Sequence, residues 1–450
     1  PRQGSPQQRA SMAPGRHTCG TRRLLGAAVF LALVVAAGAQ EQRQPGTLLL
    51  NMLIKNEAEH LSRSLPKWAP LIDYWIVGID ANNTDNSEEI IRKHLGHLPG
   101  ETVVVEFDGM GPTWTILVQR GLAAFPEATH GIIADADFTP TITSLDKMQL
   151  RRECSKHMYK IRSPDGATVR NMDWIYRNIP GAKVMRRTHQ SLHVPRQENQ
   201  EVFQTLIDLE VQEFEGGFQD RSGNKAERYL NWLLQDLADM PGDPRTTYFL
   251  GHAHLDNIGP NVVADLRSGA PRGENVHMAL KYFKLRASIR AGYFEERWFA
   301  MLKAGEICER YLFDSACSLE MWTLAERLDP ERPDAGFYIG QHWRLAQEAA
   351  KAFPILKRAA KIPLPPRSLF QWEYLYDCLR HLELVRAAGA LPPSDAARLS
   401  RGDWKAVRKS ARQGLRACDA SFHSDLNAQL QRAHAEITRL ADTPPPPPPP

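Results

Sequence analysis

No stretch of the 450-residue chain concentrates positive charge: the net charge is +4, from 56 Lys and Arg against 52 Asp and Glu, with no long basic run. Nucleic acid is therefore not implied as a partner. Cysteine is scarce, six residues without a Cys-x-x-Cys spacing, which argues against a zinc site. Cys19 falls in a candidate leader, leaving Cys154, Cys308, Cys317, Cys378 and Cys418. An odd number leaves at least one thiol free or pairing between chains. Cys308 and Cys317 can meet across a helical hairpin, but the reading preferred for such spaced cysteines is small buried hydrophobes. Only one Asn-x-Ser/Thr sequon exists, at Asn82-Asn83-Thr84; it lies in a candidate nucleotide loop and is expected to stay unmodified. No Gly-rich phosphate loop follows the first apolar strand, which argues against a nucleotidyltransferase.

The ends are equally spare. The chain opens on Pro1 and is expected to be part of a longer reading frame, with Met12 a candidate start. From there, Arg16, Arg22 and Arg23 precede the apolar run Leu24 to Ala37, and Ala37-Gly38-Ala39 offers a small-residue cleavage site. Residues 1–40 read as a signal peptide, the run being shorter than the ~20 residues a membrane span needs. Left uncleaved, the segment is a short signal anchor, and only then is the membrane a partner. Both readings place the rest of the chain in the lumen of the secretory pathway. Pro444 to Pro450 is expected to be extended polyproline.

What is present is a series of apolar runs that end at acidic residues. Thr47 to Ile54 reads as a buried strand running into Lys55-Asn56-Glu57, and Tyr74 to Ile79 as a second closed by Asp80. Near-continuous apolar runs fit parallel strands covered on both faces. A helix is expected over about 88–94, a third strand over 102–107, the turn Gly109-Met110-Gly111-Pro112, and a helix over about 113–125. Gly131 to Phe138 forms a fourth strand and carries Asp135-Ala136-Asp137. Alternation of this kind predicts a parallel sheet whose ligands sit beyond the strands' carboxyl ends. Chance alone supplies roughly six acidic-x-acidic triplets in such a chain, so position, not the triplet, carries the signal.

At these residues the chain resembles the family 2 glycosyltransferases. The resemblance rests on a strand into Asn56-Glu57, a strand into Asp80 with Thr84-Asp85 after it, and a strand into Asp135-Ala136-Asp137. Thr188-His189-Gln190, Glu215-Gly216-Gly217, Lys225-Ala226-Glu227-Arg228, Tyr248 to Gly251 and Gly292 to Glu296 look like landmarks of a branch whose transferase domain runs into tetratricopeptide-like helices. The likeness spans about residues 47–345. Two departures stand out, since that branch commonly has His-Glu where this chain has His189-Gln190 and Asp-Gly-Gly where it has Glu215-Gly216-Gly217.

The resemblance implies an α/β GT-A fold, a Rossmann-like mixed sheet, over residues 46–222, followed by tetratricopeptide-like helices over 223–350. It implies inverting transfer from a UDP- or GDP-sugar to a glycan, protein or lipid acceptor. Mn²⁺ or Mg²⁺ is the implied cofactor, since such ions are held by one or two carboxylates and the substrate's phosphates. Asp137 is the first ligand and Asp135 its partner on ribose or metal; Asp80 faces the base, and Asn56 and Glu57 the ribose side. Asp85 joins the nucleotide set or, as Asx residues often do, caps a helix. Candidate catalytic bases are His189, Glu213 and Glu215, with Asp173 also weighed, because the acceptor's proton needs a carboxylate or imidazole within reach. His189 is alternatively a metal ligand or a structural loop residue.

Helices are expected over about 224–240, 244–256, 275–291, 294–312, 315–328 and 334–350, packed on the catalytic domain, with a helical tail over 351–440 and an interruption at Ile362 to Pro366. Ala279 and Ala316 begin comparable helices near the 34-residue tetratricopeptide period. His252-Ala253-His254 reads as packing, since i and i+2 leave a helix on different sides. Trp114, Trp174 and Trp232 read first as core. A catalytically degenerate scaffold that binds peptides through its helices is the alternative function.

Overall fold

A computed structural model describes residues 45–442, apart from 153–156, 163–168, 196–204, 215–222, 260, 269–270 and 365–371. The expected signal segment 1–40, Cys154, Glu215 and the terminal prolines lie outside the described residues. Of Asp173 only the backbone is described.

The first part is an α/β sheet region. β1 (Leu48–Ile54), β2 (Tyr74–Asp80), β3 (Gly100–Val105) and β4 (His130–Ile133) alternate with α1 (Ala58–Trp68), α2 (Ser87–Leu95) and α3 (Met110–Ala124). All three pairings among these strands are parallel. The apolar runs of β1, β2 and β4 are largely buried, from Leu48, Leu49 and Leu50 on β1 to Ile132 on β4, whereas β3, at the sheet edge, leaves Val104 exposed. That burial explains why the runs are continuous instead of alternating. β5 (Phe138–Pro140), β6 (His157–Arg162), β7 (Val169–Arg177) and β10 (Thr205–Glu213), with the short α4 (Lys147–Arg152) between β5 and β6, complete a mixed eight-stranded sheet in the order β3-β2-β1-β4-β7-β6-β10-β5. β8 (Lys183–Met185) and β9 (Ser191–His193) form a separate hairpin. The chain steps from β1 outward to β2 and β3, then returns to β4 on the other side. The crevice at that reversal is where open α/β sheets take ligands.

The second part is a large helical region. α5 (Lys225–Asp239), α6 (Pro244–Asp256), α7 (Val262–Ser268), α8 (Pro271–Ser288), α9 (Phe294–Ile307), α10 (Ser315–Leu328), α11 (Asp334–Leu345) and α12 (Ala349–Ala359) lead to α13 (Arg380–Ala390), α14 (Pro393–Ala396), α15 (Arg401–Ala417) and α16 (His423–Asp442). Neighbours from α8 to α13 pack in succession. The boundary expected at residue 350 falls inside this stack, because α12, which begins at Ala349, packs on α11 before it as well as on α13 after it.

The cysteines depart from expectation. Cys308 and Cys317 are disulfide-bonded across the α9/α10 turn, and Cys378 and Cys418 tie the approach to α13 to the end of α15. Reading them as lone hydrophobes failed because spacing says nothing about which helices become neighbours.

The two parts are in contact through a short segment after β8. Arg186 grips Asp243 with both arms, at 2.9 and 2.7 Å, while Asp243 caps α6 by accepting from the Thr246 N–H. Arg187 donates to Asp236 and Asp239 on α5. The Arg186 and Arg187 carbonyls accept from the N–H groups of Gly111 and Met110 at the start of α3. Only glycine fits here: a Cβ on Gly109, at φ +83°, would lie 2.5 Å from Arg187 Cβ, and one on Gly111 2.2 Å from the Arg186 carbonyl.

Candidate active site

The apolar strands end at acidic side chains, and packing gathers those ends into one cleft of about 550 Å³. Glu57, Asp80, Asp135, Asp137, His189 and Glu213 all line it. β4 stops at Ile133, and two backbone bonds, Ala134 N–H to the Asn51 carbonyl and Phe138 N–H to the Asp135 carbonyl, fold Asp135-Ala136-Asp137 into a tight turn before β5. The Trp68 indole donates to the Phe138 carbonyl at 2.9 Å and fixes that turn against α1. β10 runs antiparallel to β5 with Glu213 opposite Phe138, and the Phe214 N–H donates to the Asp137 carbonyl. Strand register thus brings a carboxylate 76 positions downstream alongside the Asp135 turn.

Asp135, Asp137 and Glu213 are half-buried. Burial, then the neighbouring charges of Asp137, Glu213 and Glu57, pushes the Asp135 carboxyl up to about 8. Burial, then Glu213, pushes Asp137 up to about 6, with His60 working in the opposite direction. Carboxylates crowded in this way are stabilised by a cation. Asp137 Oδ1 is buried and has no hydrogen-bond partner, which suits an atom reserved for a metal. Among the described residues no group of three or more His, Cys, Asp or Glu could hold a metal ion. A metal held here would need part of its ligands from elsewhere, as when Mg²⁺ or Mn²⁺ is held partly by phosphates.

Asp80 is only 5% exposed and pairs with Lys55 Nζ at 3.1 Å, while its Oδ1 accepts from the Asn82 N–H. Glu57 Oε2 lies 2.6 Å from Nδ1 of His60, and both are buried. His60 escaped the sequence reading; the available signal was its i+3 spacing from Glu57 on the first turn of α1.

Two expected nucleotide residues do not line the cleft. Asp85 Oδ2 accepts from the Ala58 N–H at the start of α1, and its Oδ1 from the Ser87 N–H, so both oxygens serve helix starts. Asn56, at φ +51°, accepts through Oδ1 from Thr84 and Asp85 and clamps the loop after β2 to the end of β1. Both support the loop, since their side-chain oxygens accept from its backbone and from the Thr84 and Asn83 side chains.

His189 lines the cleft in a left-handed conformation, φ +48°, with its ring stacked on Phe249 at 3.5 Å. Burial, then the charges of Arg245, His252 and Lys225, pushes the imidazole down to about 3. A group so reluctant to take a proton makes a poor base near neutrality. The cations around it equally disfavour a metal. Lys225 and Tyr229, on the first turns of α5, form the opposite wall, so the helical region contributes to the cleft. Trp114 and Trp174 are core, while Trp232 packs edge-on to Phe107. His254 bonds Asn275 and stacks on Tyr282, whereas His252 packs on Phe283.

The chain matches no family model and none of the curated proteins. Among solved structures, MamA 41-end from Desulfovibrio magneticus RS-1 aligns over 50% of this chain and 93% of its own, at 13% identity and a TM-score of 0.27. A thermophilic TPR protein of Thermus thermophilus aligns over 48% and 94%, at 16% identity and a TM-score of 0.25.

Proposed function

We propose that the protein is a metal-dependent glycosyltransferase of GT-A fold with a tetratricopeptide-like helical region, using a UDP- or GDP-sugar donor. The observation that carries this reading is the gathering of Glu57, Asp80, Asp135, Asp137 and Glu213 in one cleft at the strands' carboxyl ends. Asp137, with Asp135, would hold Mn²⁺ or Mg²⁺, which supplies charge neutralisation for the departing diphosphate. Asp80 accepts hydrogen bonds from the nucleotide base, and Lys55 and Lys225 add positive charge beside the phosphates. Glu213, and not His189, takes the acceptor's proton. In the transfer, an acceptor hydroxyl oxygen bonds to the anomeric carbon as the bond from that carbon to the diphosphate oxygen breaks; the hydroxyl proton passes to Glu213, and the nucleoside diphosphate leaves with the bonding pair. Inversion at the anomeric carbon follows from a single displacement.

Two disulfides among the described residues favour an oxidising compartment, and hence the lumen of the secretory pathway. No helix among the described residues is long and apolar enough to cross a membrane. The test is release of UDP or GDP from a panel of nucleotide sugars by the full chain with Mn²⁺ or Mg²⁺. Release that needs metal and is lost in Asp137→Asn supports the proposal. Absence of metal-dependent release and of nucleotide binding across both nucleotides would overturn it.

A further inference from the structure

Behind the cleft lies a second cavity of about 500 Å³ that shares His189, Lys225 and Tyr229 with it. Its other walls come from the helical region: Ala226 on α5, and Phe249, His252 and Ala253 on α6, with the exposed Asp256 at its rim. This annex differs from the cleft in chemistry. The cleft is floored by carboxylates, whereas the annex is lined mostly by aromatic and small apolar groups. Its two imidazoles are both held neutral, since burial, then Lys303, pushes His252 down to about 4. His252 Nε2 is buried and has no hydrogen-bond partner, although the ring lies among Tyr248, Phe249, Phe283 and Phe299. An unsatisfied buried nitrogen is costly, a penalty relieved when a hydroxyl binds.

We infer that the annex between α5 and α6 is a saccharide subsite, which seats the sugar whose hydroxyl enters the cleft past His189. The inference rests on the transferase reading and deepens it by naming the acceptor class. A sugar ring matches the walls: its apolar face packs against Tyr229 and Phe249, and its hydroxyls reach His252 Nε2 and the Asp256 carboxylate. A strongly anionic acceptor would meet Asp256 and the carboxylate floor. An extended peptide needs backbone partners, and the annex walls are side chains of α5 and α6 and of the His189 loop, with no strand in the lining to supply them. The 500 Å³ volume is within the range of small-molecule sites.

The experiment uses the full chain and a panel of methyl glycosides as probes, read by saturation-transfer NMR, alongside Mn²⁺–UDP and Mn²⁺–GDP binding read by calorimetry. Ala226→Trp fills the annex from a half-buried position on α5, and His252→Phe removes the nitrogen while keeping a ring. At least one glycoside is expected to bind the native chain, to weaken tenfold or more in Ala226→Trp and severalfold in His252→Phe, with nucleotide affinity within about twofold of native in both. Unaltered melting temperatures establish that the variants fold; should Ala226→Trp fail there, Ala226→Leu and His252→Phe carry the same comparison. Glycoside binding unchanged by these substitutions, or no binding of any glycoside by the native chain, overturns the inference. Loss of nucleotide binding in the native chain with annex-dependent glycoside binding intact would instead overturn the transferase reading and leave the saccharide subsite standing.

Discussion

Replacing Asp137 with Asn should make the metal-free protein more stable, and the pH dependence of that gain tests the electrostatics of the cleft. Asp137 is raised from its ordinary 3.8 to about 6 by burial and Glu213. A raised carboxyl pKa means that the folded state binds the proton more tightly than the unfolded chain. Its contribution is therefore favourable in acid and is lost as pH climbs from about 4 through 6, with Asp135 extending the loss towards 8. Two pKa units correspond to about 3 kcal/mol; water in the cleft screens part of this, so about 2 kcal/mol is expected at pH 8. Asn keeps the shape without the charge. Nothing is sacrificed at Oδ1, which has no hydrogen-bond partner to lose. With Mn²⁺ and nucleoside diphosphate at about 100 times the dissociation constant, the native protein should gain ~2.7 kcal/mol and the variant almost none, which reverses their order. Urea denaturation at pH 5 and pH 8, with and without Mn²⁺–UDP and Mn²⁺–GDP, reads all of these differences. A variant less stable than native at pH 8 without ligand, or stabilised equally by ligand, would refute the reasoning.

Three further outcomes are expected. Glu213→Gln should cut turnover by ~10² to 10⁴ with Mn²⁺–nucleotide affinity held, whereas His189→Ala should stay within tenfold of native; steady-state kinetics with calorimetry separates them, and the reverse pattern returns the base to His189. Arg186→Ala should cost ~3–5 kcal/mol in chemical denaturation, because Asp243, 14% exposed, keeps its charge without its partner; a cost below ~1 kcal/mol would show that the two parts are not held there. Cys378→Ser should cost about 4 kcal/mol, since the bond closes a 40-residue span, yet leave Mn²⁺–nucleotide affinity unchanged; an unaltered denaturation midpoint would show that the bond is not formed.

Much of the α/β region is legible because buried parallel strands announce themselves as apolar runs. The expected strand at Tyr74 to Asp80 is β2 itself, and the helices expected at 244–256 and 315–328 coincide with α6 and α10. What was missed depends on distant parts of the chain meeting. The Arg186 clamp sits at φ +75°, where a non-glycine residue is uncommon, so local propensity argues against it and only its partners on α3 and α6 justify it. Asp85 and Asp135 look alike as acids beyond apolar strands. What distinguishes them is that Asp85 meets the open N–H of Ala58 across the loop, whereas Asp135 meets other carboxylates. Disulfide pairing is hidden for the same reason, since it is decided by which helices become neighbours.

That α5 supplies Lys225 and Tyr229 to the cleft has a consequence for biogenesis. Chains emerge from the ribosome N-terminus first, and domains tend to fold as they appear. Here the carboxylate-bearing strands are complete by Glu213, but one wall is not yet synthesised at that point. Arg245, which donates to the His189 carbonyl, is joined to Glu296, so the loop carrying His189 is secured only after α9 has been made and docked. A half-made chain therefore presents an acidic groove that lacks the wall supplied by Lys225 and Tyr229. On the proposed transferase reading, competence would therefore arrive late in translation, once α9 has docked.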